Sequence, residues 1–391
     1  MNDISKIQQA LKQQKLDGWL LADFHGRNSV AVEILKLSGI VTRRSFYFIP
    51  AEGEPVALVS PIEKEKFAKA AGRVVPIAGY KNLELKLKSV LSGCNRVAME
   101  YAPMGRLPYI GLVDAGTIEL VRSFGIEIVS SADLVASFGA RLSCEQIESH
   151  YRAAKKLIEI KSAAHDYIRT ALQDGDAITE YDVQEFILRQ FEQNGMVTQF
   201  PPNCSVDANA GNPHYEPSAD NSAAIKLGSL VLIDLWAKFD EPHGIYADIT
   251  WMAYAGTASD IPARYNDIFR IVCAARDAAV RYLKDHFDHG ALYGADADDA
   301  CRKVIEDAGY GESFTHRTGH SITTSEHGSG PNIDNLETED KRALQPGHLF
   351  SVEPGIYTSD IGFRTEINVL MTEDGPEITT LPLQNEIVAL L

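Results

Sequence analysis

The chain has 391 residues, 45% of them hydrophobic and 23% charged, an ordinary globular composition with room for two or three domains. Its 37 basic residues against 54 acidic ones give a net charge of −17, which argues against a nucleic-acid partner and against attraction to an anionic membrane surface. No stretch approaches the roughly 20 apolar residues of a membrane span, and the N-terminus shows no long apolar signal core, so a cytoplasmic location is expected. The five cysteines, Cys94, Cys144, Cys204, Cys273 and Cys301, form neither a disulfide framework nor a zinc pattern, and each is expected to be a small buried hydrophobe.

In chain order, residues 4–14 carry apolar positions on one helical face. Residues 18–22 and 44–49 read as strands, and Gly53 turns the chain back into a further strand at 55–60. Helices at 63–71 and 83–91 and a strand at 96–99 follow, so the first part is expected to be an α/β domain. At 142–172 the pattern changes to one long helix, with Ile147, Tyr151, Ala154, Leu157 and Ile158 on one face and Ser143 at its start. A domain boundary therefore belongs near residue 140. A second helix follows Asp174-Gly175-Asp176, then a loop rich in Pro, Asn and Gly at 201–221. Strands are expected at 230–235, 245–254, 349–353 and 365–371, and helices at 262–286 and 296–308.

Asp234 in GSLVLIDLW ends a run of four apolar residues, where a charged carboxylate is costly to bury. Asp248 in GIYADITW, Glu353 in LFSVEPGIY and Glu366 in FRTEINVLM repeat the pattern. Arg364 can compensate one of these acids and not four. Nearby in sequence, THRTGHSITTSEHGSGP groups His316, His320 and His327, and His214 stands in GNPHYEP. Four carboxylates and an imidazole suit Mn, Fe, Co or Zn in a shared site better than a closed structural zinc. Two divalent ions come close to balancing four negative charges.

The order of these motifs resembles the M24 metallopeptidases of pita-bread fold, in their Xaa-Pro aminopeptidase and prolidase branch. His214-Tyr215, the two aspartates, TGHSI, a second histidine seven residues on, VEPGIY and RTE follow in family order from about residue 145. The resemblance implies an α/β (α+β) protein, with a creatinase/prolidase-like N-terminal domain at 1–140 and a pita-bread catalytic domain at 141–391. It implies Asp234, Asp248, His320, Glu353 and Glu366 as ligands of two divalent metal ions, manganese ahead of cobalt, iron or zinc. Glu353 would also move the proton, while His214, His327 and Arg364 would contact the substrate or orient ligands; His316 would support the ligands from behind. The activity implied is hydrolysis of short peptides, at Xaa-Pro bonds, by a cytoplasmic homodimer.

Three features depart from the family pattern. The two aspartates stand fourteen apart across a segment holding Asp240, Glu241 and His243, Gly328-Ser329-Gly330-Pro331 follows the second histidine, and Trp251 stands where arginine is common. Two other readings remain at this stage: a metal-dependent hydrolase or lyase of a small metabolite on the same scaffold, and a partner-binding protein without catalysis.

Overall fold

Along a strand buried on both faces, successive side chains must find two separate cores. The computed structural model describes residues 4–37, 39 and 41–391, and the chain divides into Met1–Ala140 and Arg141–Leu391. The first unit runs α1 (Ile4–Gln13), β1 (Gly18–Asp23), α2 (Ser29–Leu35), β2 (Ser45–Pro50), β3 (Val56–Val59), β4 (Arg73–Pro76) and α3 (Tyr80–Val90). It continues through β5 (Arg96–Met99), α4 (Ala115–Arg122), β6 (Glu127–Ser130) and α5 (Ala132–Phe138). The six strands form one sheet in the order β4-β3-β2-β1-β5-β6, with β2 antiparallel to both neighbours. Trp19 and Leu21 join the core under α1, α2 and α5, and Leu20 and Ala22 join the core under α3 and α4.

Where a helix was expected at 63–71, the chain makes a 3-10 helix at Pro61–Phe67. Its Glu63 carboxylate turns inward and accepts from Thr42 N at 2.7 Å, Thr42 Oγ1 at 2.8 Å and Arg43 N at 3.2 Å, which ties this segment to the chain just before β2. The sequence reading did not assign α2, β4, α4, β6 or α5. The two longest of these have eight and seven residues, too few for a periodic signal to rise above local variation.

The second unit opens with α6 (Cys144–Asp174), whose N-terminus is closed by a reciprocal Ser143–Gln146 capping box and whose C-terminus ends at Gly175 with φ of 77°. Then follow α7 (Glu180–Gln193), β7 (Met196–Val197), β8 (Asn203–Val206), β9 (Leu230–Phe239), β10 (Ala247–Tyr254), α8 (Ala263–His286) and α9 (Gly294–Asp307). The chain finishes with β11 (Leu349–Val352), β12 (Gly355–Tyr357), β13 (Gly362–Arg364), β14 (Ile367–Thr372), β15 (Gly375–Ile378) and β16 (Val388–Ala389). β9 lies between β8 and β10, with β7 on its far end and β16 beyond β10, while β14 pairs β11 and β15.

Alternation along β9 sends Val231, Ile233, Leu235 and Ala237 into the core beneath α6 and α7. Leu230 and Leu232 face the core of α8 and α9 instead, and the same face carries Asp234 and then Trp236. Each fully buried aliphatic side chain contributes roughly 1.5–3 kcal/mol, so a one-residue slip of this strand is strongly disfavoured. Asp234 is thereby held where the apolar face becomes polar. Cys204, Cys273 and Cys301 are buried as expected, whereas Cys144 is exposed at the start of α6 and Cys94 is half-buried. Among the described residues no helix is long and apolar enough to cross a membrane.

Candidate metal centre

The β9–β10 register pairs Asp234 with Thr250 and Trp236 with Asp248, so all four side chains stand on one face of the hairpin. Two links bring β14 against this face. Glu366 N donates to Thr250 O at 3.2 Å, and Asn368 clamps the Asp248 backbone, accepting from its N–H at 2.9 Å and donating to its carbonyl at 2.8 Å. The fifth expected residue arrives on the segment beside β11. His320 N donates to Ser351 Oγ at 2.9 Å and His320 O accepts from Ser351 N at 2.9 Å. Gly319 permits this approach, since a Cβ there would lie 1.9 Å from Ser351 O.

One ligand atom each from Asp248, His320 and Glu366 falls within 4.8 Å of the others, and all three residues are buried. His320 Nε2 lies 3.6 Å from Asp248 Oδ2 and 3.4 Å from Glu353 Oε1. Its Nδ1 faces the Ser321 carbonyl at 3.3 Å, which assigns the ring proton to Nδ1 and leaves the Nε2 lone pair aimed at carboxylates. Lone pair and carboxylates repel unless a cation or a carboxyl proton lies among them. Asp248 Oδ1 and Glu366 Oε1 are also buried with no hydrogen-bond partner. These oxygen donors and the neutral imidazole therefore fit a divalent ion.

Titration behaviour follows the crowding. Burial first, then Glu366 and Asp234, holds the Asp248 carboxyl well above the usual range, and burial with Glu353 and Asp234 does the same to Glu366. Glu353 is pushed up to about 7 by burial, with Arg364 opposing and Asp234 adding to the rise. Burial presses His320 well below the ordinary imidazole range, with His327 and Arg317 adding to the fall.

Asp234 stands apart from the triangle, because it is already paired. Arg364 Nη2 donates to Asp234 Oδ2 in a short contact, Arg364 Nε donates to Thr250 Oγ1 at 3.0 Å, and that hydroxyl lies 2.9 Å from both Asp234 Oδ1 and Glu366 Oε2. Arg364 therefore orients Asp234 directly and reaches Glu366 only through Thr250. A further chain begins at its Nη1, which donates to Tyr357 OH at 2.9 Å. The Tyr357 oxygen lies 2.8 Å from His316 Nε2, and His316 Nδ1 lies 2.7 Å from the Arg317 carbonyl. Burial and Arg364 press His316 down to about 3, so the ring is neutral, Nδ1 donates and Nε2 accepts from Tyr357.

Glu353, at the turn between β11 and β12, accepts from Ser351 Oγ at 3.0 Å, and its backbone N–H donates to Thr318 O at 2.7 Å. His327 packs its ring on His320 with centroids 4.1 Å apart, yet about half of its side chain is exposed. His214 is exposed on the 209–223 loop, within electrostatic reach of His316 and His327. Glu180 secures that loop by accepting from Tyr215 OH at 2.6 Å and from the backbone of Val206 and Ala223 at 2.7 Å each.

The three departures resolve structurally. Glu241 pairs with Arg152 and accepts from Ser149 on α6 at 2.7 Å, and His243 lies 3.7 Å from Glu145, so these two belong to the far end of the hairpin. Trp251 alternates away from Asp248 and Thr250 into the core beneath α6, with Lys161 Nζ 3.6 Å from its ring centroid. After His327 the loop is held by Arg342, which donates to Ser329 O at 2.5 Å and Gly330 O at 2.6 Å and pairs with buried Asp340. The sequence reading missed Thr250, Ser351, Tyr357 and Asn368 as supports, and missed the acid Glu326, whose flanking loop reads as a polar turn.

A hairpin and an antiparallel sheet that bring Asp248, His320 and Glu366 together, with Glu353 beside His320, form an arrangement suited to a metal-dependent hydrolase. Residues 152–373 match the model of metallopeptidase family M24, and the chain belongs to that family. Its fold is the family's pita-bread fold, shared with solved structures. Dipeptidase PepE from Mycobacterium ulcerans matches with a TM-score of 0.76 at 21% identity, over 99% of this chain and 96% of that one. A prolidase from Pyrococcus horikoshii matches with a TM-score of 0.68 at 22% identity, over 98% and 99%. An X-prolyl aminopeptidase from Caenorhabditis elegans, described as a cytosolic enzyme with a di-nuclear active site, matches with a TM-score of 0.70 at 18% identity, over 98% of this chain and 62% of that one. Membership of the family implies peptide hydrolysis with divalent metal ions.

Proposed function

We propose that this chain is a metal-dependent exopeptidase for short peptides, cleaving Xaa-Pro bonds, with two divalent ions held by Asp234, Asp248, His320, Glu353 and Glu366. The observation that carries this reading is the buried Asp248–His320–Glu366 triangle with its two unpartnered carboxylate oxygens, in a chain of family M24. The Xaa-Pro preference and the count of two draw support from the prolidase and the X-prolyl aminopeptidase of di-nuclear site that share the fold. Manganese is the favoured ion, and the same reading has the protein act as a cytoplasmic homodimer. Bound divalent ions would supply Lewis acidity, activating a water near neutral pH and polarising the scissile carbonyl.

The side chains take the remaining tasks. Glu353, fixed by Ser351, accepts the proton of the attacking water and passes it to the leaving amine. His327 and His214, at the open side of the site, donate to the carbonyl oxygen as it gains charge. Arg364 and Thr250 hold Asp234 and Glu366 in place, and neutral His316 holds Arg364 through Tyr357.

A peptide panel tests the reading. Protein stripped of metal and reloaded with Mn, Co or Zn is assayed on peptides of two to five residues, with and without proline in second position. Release of proline from Xaa-Pro dipeptides identifies a dipeptidase, and cleavage of longer Xaa-Pro peptides identifies an aminopeptidase. Cleavage without any proline preference removes the Xaa-Pro assignment, and inactivity on every peptide removes the exopeptidase reading.

A further inference from the structure

The loop 321–328 brings into the site one carboxylate more than five ligands require. Its path is fixed by Gly328 N donating to Ser321 O at 2.6 Å, Tyr246 N to Thr323 O at 3.1 Å and Lys238 Nζ to Thr324 O at 2.6 Å. Glu326 is thereby turned inward, only 16% of its side chain exposed, among Asp234, Asp248 and Glu353 and beside Trp236. Its Oε2 is buried without a hydrogen-bond partner, as is Trp236 Nε1, and its Oε1 lies 3.5 Å from His327 Nε2.

A carboxylate so placed is penalised by desolvation and by like charges, and requires a cation for compensation. The nearby cations are committed. Arg364 donates to Asp234, Thr250 and Tyr357, and Arg317 lies against Glu337. Two divalent ions offset the four ligand carboxylates, and Arg364 offsets the anion that water becomes on activation. Glu326 then stands as the remaining negative charge of the site, with the Trp236 indole beside it.

We propose that Glu326 is a specificity-determining residue that selects substrates bearing an ammonium group, accepted by its carboxylate beside His327 and Trp236. The inference rests on the peptide-hydrolase reading and adds a substrate class to it. The ammonium can come from the peptide N-terminus or from a lysine side chain.

The test compares wild type with Glu326→Gln, both loaded with Mn, on lysine against norleucine peptides and on free against N-acetylated peptides. The readout is kcat and KM where peptides are cleaved and calorimetric affinity where they are not, with bound metal counted by mass spectrometry. Wild type is expected to prefer the charged member of one pair by about 10- to 100-fold, the worth of a charge-assisted hydrogen bond. The preferred pair identifies the source of the ammonium. Glu326→Gln should lose that preference, mainly through KM, and keep its metal. An equal preference in both proteins overturns the proposal, as does loss of bound metal in Glu326→Gln, which would make Glu326 a ligand. Binding preference that depends on Glu326 without cleavage supports the proposal and counts against the peptidase reading alone.

Discussion

Replacing Asp248 by Asn should stabilise the metal-free protein and destabilise the metal-loaded one, relative to wild type. Asp248 is 3% exposed, its Oδ1 lacks a partner, and its neighbours Glu366, Asp234 and Glu353 are acids. A buried charge left uncompensated costs about 3–5 kcal/mol, and a neutral amide of the same shape recovers a share of about 1–3 kcal/mol. For a unit this large each kcal/mol moves Tm by about 2–4 °C, so the metal-free variant should melt roughly 2–12 °C above metal-free wild type. A ligand at a thousandfold excess over its Kd stabilises by about 4 kcal/mol, and the variant should forfeit most of that. Differential scanning calorimetry after EDTA dialysis, then with MnCl2, reads both effects as an exchange in rank between the two proteins. A metal-free variant less stable than wild type, with an undiminished gain on adding Mn, would show Asp248 to be an ordinary structural acid.

Glu353→Gln should fold as wild type does and hold its ions less tightly, and at saturating metal it should still lose about 10²–10⁴-fold in kcat, the usual worth of general acid–base catalysis; steady-state kinetics on the best peptide decides it. Thr250→Val deletes the hydroxyl shared by Asp234, Glu366 and Arg364 and leaves Arg364 Nε without its acceptor. It should cost about 1–3 kcal/mol of stability and weaken Mn binding about 10–100-fold by calorimetric titration. Metal-free protein should also lose stability as pH rises from about 6.5 to about 8. Burial and Asp234 outweigh Arg364 to place Glu353 near 7, and burial with Asp234 and Glu353 places Glu326 near 8, while the buried histidines held below their ordinary range are neutral in both states by then, so the folded state binds more protons than the unfolded chain across that window. Urea denaturation at several pH values should show the decline, and saturating Mn should flatten it; stability of the metal-free protein rising with pH over that window would reject this electrostatic picture.

The four acids on or beside strands were legible in the sequence because a carboxylate inside an apolar run contradicts its neighbours, and alternation alone puts Asp234 on the face that its apolar partners Val231 and Ile233 avoid. The same alternation was available for Trp251, three residues after Asp248 and so on the opposite face, although its position in the motif drew attention to substrate choice instead. Glu326 gave no such signal. Its neighbours Thr323, Thr324, Ser325 and Gly328 read as an exposed turn, and only long-range contacts with Lys238 and Tyr246 turn it inward. Likewise, the pairing of Arg364 with Asp234 joins residues 130 apart in sequence and depends on how β13 meets β9. The long helices α6 and α8 were plain from periodicity, whereas the seven-residue α2 and α5 carry too few turns to show one.

Turnover measured against the number of metal ions bound tests the central claim most directly. Stripped protein is reloaded stepwise with Mn, and each preparation is assayed on an Xaa-Pro dipeptide and counted for bound ions. The five-residue site predicts activity that is absent without metal and reaches its plateau at two ions per chain. Full turnover in the presence of chelator, or no turnover with both ions bound, would contradict it.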